Sequence, residues 1–209
     1  ARYVVAPSNS LRLTVSIEWD HPLIRRQAGC FDIDAEGFAA NATLVIQDDG
    51  HNAGVLAEKL NNKGLNVVVV RLPHGMPQSP LSSAVSCVQP KGLGEADIQE
   101  SMAEILAEHG AITGFVHLQP MADNEAAPAL SLSEAGFNHL SSAFLWAKHL
   151  HGQLSQQTGR RCFFSVSRID GGFGYLSPEQ LAKSELNQAG LSGLTKTLSH
   201  ECADVCCRA

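Results

Sequence analysis

The run Leu65 to Leu72, LNVVVVRL, constrains the fold of this chain more than any other stretch. Its β-branched residues follow one another without polar alternation, which suits a strand covered on both faces inside a parallel sheet. Parallel strands need crossover helices, and the flanking sequence supplies them. Thr43 to Ile46 predicts a short apolar strand, and Asn52 to Lys63 predicts a helix with Val55, Leu56 and Leu60 inward and Gly64 as its stop.

The pattern then repeats. Leu81 to Val88 predicts a third strand, and Asp97 to His109 a helix carrying Ile98, Met102, Ile105 and Leu106, ended by Gly110. Ile112 to Leu118 is the next strand, and Ser133 to Gln157 the longest helix, its inner face assigned to Phe137, Leu140, Phe144, Ala147 and Leu154. Cys162 to Val166 and Asp204 to Ala209 complete the strands. Strands alternating with helices imply an α/β fold, a truncated Rossmann-like three-layer sandwich with a mostly parallel sheet and right-handed crossovers.

Residues 1–40 read differently. Leu11 to Ile17 alternates as a half-buried strand does and runs out at Pro22, after which the segment is expected to cross the outside of the domain. The chain thus divides into 1–40 and a Rossmann-like subdomain over 41–209. The non-Met start and a terminus within a strand-like run read as a piece of a longer polypeptide, incomplete without C-terminal sequence.

Composition narrows the function. With 44% hydrophobic and 17% charged residues the chain can bury a sizeable core. A net charge of −6 argues against nucleic acid and anionic membranes as partners. No apolar run approaches the roughly 20 residues of a membrane span. Six cysteines without framework spacing imply a reduced, cytoplasmic setting. His200, Cys202, Cys206 and Cys207 crowd together but lack the paired C-x₂-C spacing of a zinc site, so no metal is expected.

A dinucleotide site in such a fold needs glycines where the first strand turns into its helix. Here that turn is QDDGHNAG, Gln47 to Gly54. Gly50 and Gly54 survive from a G-x-x-x-G-x-G pattern, but the third glycine position is Leu56. Asp48 and Asp49 add negative charge where a doubly anionic ligand would lie. The turn reads as vestigial, a structural entry into the helix. An alternative use of the Asp48–Gly54 crevice is binding of a cation or small ligand.

Carbonyl reduction needs a tyrosine acid with a lysine one helical turn on, hence Tyr-x-x-x-Lys. Ala189 to Leu198 (AGLSGLTKTL) resembles the helix that follows this motif in short-chain dehydrogenase/reductases. Counting back, the lysine position holds Gln188 and the tyrosine position Ser184. Glutamine carries no charge to lower a neighbour's pKa, and a serine hydroxyl is a far weaker acid than a phenol. The asparagine motif those enzymes place after the fourth strand is replaced by Val116 to Pro120, VHLQP. Ser165 or Ser167 can stand at the serine position, but one serine is no reductase. Tyr175 is the remaining candidate acid, yet its i+4 residue is Glu179. Ser192 lies within a helix pattern and not at a strand-to-helix elbow. His139, His149 and His151 on the long helix read as a solvated polar face. No catalytic and no cofactor-binding residue is therefore assigned.

A reductase shell without its site resembles the first, non-catalytic half of the ketoreductase region in modular polyketide and related fatty acid synthases. Val15 to Pro22 resembles the strand with a Trp-x-x-Pro exit that opens such regions, and Phe164 to Gly171 its Val-Thr-Arg-Gly-like strand end. Gln188 to Glu201 matches the helix in which glutamine is usual in place of lysine. Gly114 to Pro120 and Ser167 to Gly171 are similar to the bacterial polyunsaturated fatty acid synthase, across residues 10–209 and most strongly 112–201. Cys202 to Ala209 departs from the Trp-Pro pair expected after His-Glu.

The resemblance implies a structural subdomain that holds no cofactor itself. NADPH would be expected in the adjoining catalytic half of the same polypeptide, with acyl carrier protein domains as further partners. The alternative is a free-standing NADPH-dependent reductase using Tyr175 with Lys183 or Lys196.

Overall fold

The structure is a computed structural model that describes residues 2–4, 12–16, 30–32, 37–39, 41–120, 133–168 and 187–209. Three short strands, β1 (Arg2–Val4), β2 (Arg12–Ser16) and β3 (Cys30–Asp32), form an antiparallel sheet in that order. The alternating run expected at Leu11 to Ile17 is β2, paired on both sides.

The main sheet is parallel and has six strands: β4 (Thr43–Gln47), β5 (Asn66–Val70), β6 (Ser86–Val88), β7 (Ile112–Leu118), β8 (Cys162–Val166) and β9 (Cys206–Arg208). Their spatial order is β6-β5-β4-β7-β8-β9. The order reverses between β4 and β7, which creates the crevice where ligands bind in open α/β sheets. The valine run of β5 pairs with β4 on one side and β6 on the other, as its lack of alternation required.

Among the described residues the helices are α1 (Ala53–Asn61), α2 (Glu95–His109), α3 (Glu134–Gln156) and α4 (Asn187–Glu201). Alternate residues of the strands feed two core layers. One joins Val45, Val68 and Phe115 to Ile98 and Ile105 of α2 and to Trp146 and Leu150 of α3. The other joins Leu44, Ile46 and Val69 to Ala53, Ala57 and Leu60 of α1. Phe115 at the centre stacks on Trp146 at 5.0 Å and on Phe163 at 5.4 Å between ring centroids. Such aromatic pairs add about 1 kcal/mol each beyond burial.

Gly64 ends α1 as expected, with φ +87°. The Leu65 amide donates to the Leu60 carbonyl and the Gly64 amide to that of Asn61. This paired closure puts a residue in the left-handed region, where glycine carries no Cβ penalty. Two helix faces differ from the sequence expectation. Val55 of α1 is 56% exposed, and Ala57 beside Leu60 makes the buried contact instead. On α3, Phe137 and Phe144 are 60% and 53% exposed. Ala147 and Leu154 are buried as expected, but the stripe also takes Gly136, His139, Ala143, Trp146 and Leu150, the first four of which each lie one position ahead of an expected inner residue. Small residues win because α3 packs closely on the sheet, and Trp146 wins because Phe115 offers a ring to stack on. His139 therefore lies in the buried face and not in the solvated one; His149 is half-buried against Glu95, and His151 is exposed.

The candidate dinucleotide crevice and the reductase positions

β4 delivers Gln47, Asp48 and Asp49 to the point where the strand order reverses, and α1 starts four residues beyond Asp49. Helix N-termini present unpaired amides that attract anions. At α1 the chain supplies its own anion. Asp49 Oδ1 accepts from the amides of His51 (3.0 Å), Asn52 (2.6 Å) and Ala53 (3.3 Å). Its other oxygen accepts from the Asn52 side-chain amide at 2.6 Å and from Arg168 Nη2 at 2.7 Å.

Burial pushes the Asp49 carboxyl up, but the bonds from Asn52 and His51 and the Arg168 guanidinium outweigh it, and its pKa lies below the usual value. Although only 3% exposed, the carboxylate therefore stays ionised at neutral pH. Arg168 reaches it from the end of β8 while donating through Nε to the Gln119 carbonyl beyond β7. One side chain therefore spans the crevice from β8 past β7 to the turn after β4.

Asp48 closes the other wall. Its carboxylate accepts from the Gly50 amide at 2.9 Å, from the Ser79 amide at 3.0 Å and from the Ser79 hydroxyl. Arg71 lies 3.9 Å from it and donates at 2.7 Å to the Ser79 carbonyl. Segment 73–80 is thereby pinned over both glycines. A Cβ on Gly50, whose φ is +83°, would meet Pro77 at 3.1 Å, and one on Gly54 would fall 1.8 Å from the Pro80 carbonyl oxygen. The glycines admit the protein's own backbone at the place where a pyrophosphate would need room. These residues do not fit a dinucleotide: the amides of His51, Asn52 and Ala53 at the entry to α1 are engaged by a carboxylate, and the approach is filled by 77–80.

A buried polar row lies beside this turn. His117 of β7 is fully buried, with Nδ1 2.9 Å from Gln47 Oε1 and Nε2 3.1 Å from Gln119 Oε1. Gln47 also donates to Ser142 Oγ of α3 at 3.2 Å. Burial holds the His117 imidazole down to about 4, so it is neutral at pH 7. A neutral ring donates only one proton, and the second bond closes when Gln119 turns its amide nitrogen to the ring. The His-Leu-Gln sequence that stands in place of the asparagine motif is thus a wedge between β4 and α3.

At β8 and α4 the described positions singled out by the sequence make structural contacts. Gln188 is buried, and its side-chain oxygen accepts from the Arg168 amide at 2.6 Å. Ser165 is buried and shares a 2.7 Å hydrogen bond with Thr195 of α4, which also donates to the Leu191 carbonyl. Asn187 ties the start of α4 to the Ser133 carbonyl at 3.0 Å. Lys196 lies eight residues beyond Gln188, about 12 Å along the helix. It lines an open cavity of about 390 Å³ with Ser199, Cys207 and Arg208, away from the crevice. Tyr175, Lys183 and Ser184 lie outside the described residues, and so does Glu179. Among the described residues no group of three or more His, Cys, Asp or Glu is arranged to hold a metal ion.

Sequence reasoning missed Arg168, the row through His117 and the capping role of Asp49. Only the last had a local signal, an aspartate just ahead of a helix whose side chain can reach the first amides.

No protein-family model matches this chain, and no curated protein matches it. Solved structures share its fold. A 3-ketoacyl-(acyl-carrier-protein) reductase from Brucella melitensis, complexed with NADH, superposes with a TM-score of 0.61 at 15% identity, over 78% of this chain and 72% of that one. Aldohexose dehydrogenase from Thermoplasma acidophilum, ligand-free, gives 0.58 at 12% identity, over 79% of this chain and 64% of the enzyme's. A short-chain dehydrogenase/reductase of the glucose/ribitol dehydrogenase kind from Brucella melitensis gives 0.55 at 16%, over 79% and 71%. The chain thus spans about two thirds of the enzymes it resembles. At these identities the likeness is one of fold, and that fold is the Rossmann-like sandwich of short-chain dehydrogenase/reductases.

Proposed function

We propose that this chain is a structural, non-reducing subdomain: the bracing half of a β-ketoacyl ketoreductase region in a multidomain fatty acid or polyketide-type synthase. In this reading the NADPH-binding catalytic half belongs to the same polypeptide, the carrier-bound acyl chain reacts there, and the setting is cytoplasmic. No described helix is long and apolar enough to cross a membrane.

One observation carries the reading. The amides of His51, Asn52 and Ala53 at the entry to α1, the place where this fold receives a pyrophosphate, donate to the carboxylate of Asp49, itself clamped by Arg168. A phosphate there would have to displace an ionised internal ligand and lie beside Asp48. Gln188 adds support, since the group at the lysine position is spent on the Arg168 amide.

The test is direct titration of the 209-residue chain with NADPH and with NADH, followed by cofactor fluorescence. The expected result is no saturable binding up to about 1 mM, weaker than roughly −4 kcal/mol. A micromolar Kd would overturn the proposal.

A further inference from the structure

Cys162 of β8 and Cys206 of β9 are register partners in adjacent parallel strands. Residues in register project to the same side of a sheet. Both join the core layer under α1, whereas their chain neighbours Phe163 and Cys207 join the opposite layer. Neighbouring strands lie about 4.8 Å apart, inside the roughly 4.4–6.8 Å range that Cα atoms of a disulfide occupy. Both residues are free thiols in the structure. A Cβ built on Gly114 would fall 2.7 Å from Cys162 Sγ, so that sulfur leans toward β7. The two χ1 rotamers common in strands give it a way to swing toward β9.

We propose that Cys162 and Cys206 form a redox-sensitive cross-strand disulfide that staples the edge strand β9 to β8. Only three register pairs hold β9, so the bond would tie the weakest-held end of the β8–α4–β9 unit. Cys206 is half-buried, while Cys162, Cys202 and Cys207 are buried, so an oxidant that enters this cluster meets Cys206 first; Cys87 is exposed but sits on β6, at the opposite edge of the sheet. With a peroxide, the Cys206 thiolate attacks one oxygen, the S–O bond forms, the O–O bond breaks, and the departing oxygen leaves protonated as water or alcohol. The Cys162 thiol then gives its proton to a water-borne base and attacks the sulfenic sulfur. The S–S bond forms, the S–O bond breaks, and hydroxide leaves as water. Two thiols lose two electrons and the peroxide gains them.

The second step is the slow one, because burial pushes the Cys162 thiol up to about 12. The competing pairs are worse placed. Cys206 and Cys207 point to opposite faces of one strand, and Cys202 and Cys207 are both buried in the other layer. Strands held at sheet spacing set the Cβ atoms wider than the ~3.8 Å mean of a relaxed disulfide. The link is therefore expected to be easily reduced, in the manner of labile bridges.

The test treats the full chain with hydrogen peroxide, alkylates it under denaturing conditions and maps the peptides by mass spectrometry. The expected result is an intramolecular Cys162–Cys206 link, loss of both thiols from the alkylated pool and full return after dithiothreitol. Cys206→Ser and Cys162→Ala should each abolish it, and Cys202→Ser and Cys207→Ser should retain it. A Cys202–Cys207 link, a purely intermolecular product, or Cys206 sulfinic acid with Cys162 still alkylatable would each overturn the proposal. Folding of each variant is checked by circular dichroism. Should either fail to fold, trapping of the Cys206 sulfenic acid with dimedone in the unmutated chain decides: blocked Cys206 must leave Cys162 reduced.

Discussion

The turn from β4 into α1 and the junction of β8 with α4 both bring polar groups to the C-terminal end of the sheet, and they are built in different ways. At the first, backbone amides converge on an anion, and the anion is internal. Asp49 sits on the helix amides, with Asp48 and Ser79 sealing the approach. At the second, no ligand is imitated. Gln188, Ser165 and Asn187 each tie α4 to its neighbours by a hydrogen bond. Arg168 joins the two, with its backbone amide on Gln188 and its guanidinium on Asp49. A charge-filled site is more sensitive to change than a set of neutral hydrogen bonds, because an ionised group inside protein needs every partner it has.

That contrast can be broken most strongly at Gly54. Gly54→Ala places a methyl group into the Pro80 carbonyl, and the resulting backbone shift is expected to cost about 3 kcal/mol despite the better helix propensity of alanine. Thermal unfolding should drop by roughly 10 °C. A variant with unchanged Tm would show that segment 73–80 does not seal the crevice.

Acid probes the row between the two places. His117 holds its proton only below about 4 in the folded chain, against 6.5 for an ordinary imidazole. Between those values the unfolded chain binds more protons, so stability falls as pH drops from about 6.5 toward 4. The gap is worth about 3 kcal/mol. Asp49 contributes in the lower window, since its pKa is depressed and its support is lost only as pH falls below the carboxylate range. Urea unfolding at pH 7 and pH 4.5 should therefore give a steep loss in the unmutated chain and a shallower one in His117→Gln. Equal slopes would remove His117 from the account.

The smallest expected effect lies at α4. Gln188→Ala deletes one partly buried hydrogen bond, for a loss of about 1–2 kcal/mol. Gln188→Lys, which places a lysine where the resemblance to short-chain dehydrogenase/reductases would put one, should yield no NADPH oxidation with a β-ketoacyl thioester. Turnover by that variant would reverse the reading of both places.

Much of this was legible locally. The valine run, the helix-stop glycines and the spacing of Ile98, Met102 and Ile105 lead directly to the parallel sandwich, because period and composition are local properties. Helix orientation was legible only in part. Phe137 and Phe144 are apolar and correctly spaced, yet they face outward, since the fit against Phe115 and the sheet favours Trp146 and small residues.

The architecture and the presence of glutamine at position 188 are legible along the chain, because both depend on which residue types occur at which spacing. Which partners the polar groups of the crevice meet depends on the folded chain. Arg168 reaches Asp49 across 119 positions and takes the Gln188 carbonyl across 20. Ser79 meets Asp48 across 31. No local pattern encodes those distances; only chain closure around the reversal of strand order brings the groups into bonding range, and burial there leaves each charged group dependent on the partner it meets.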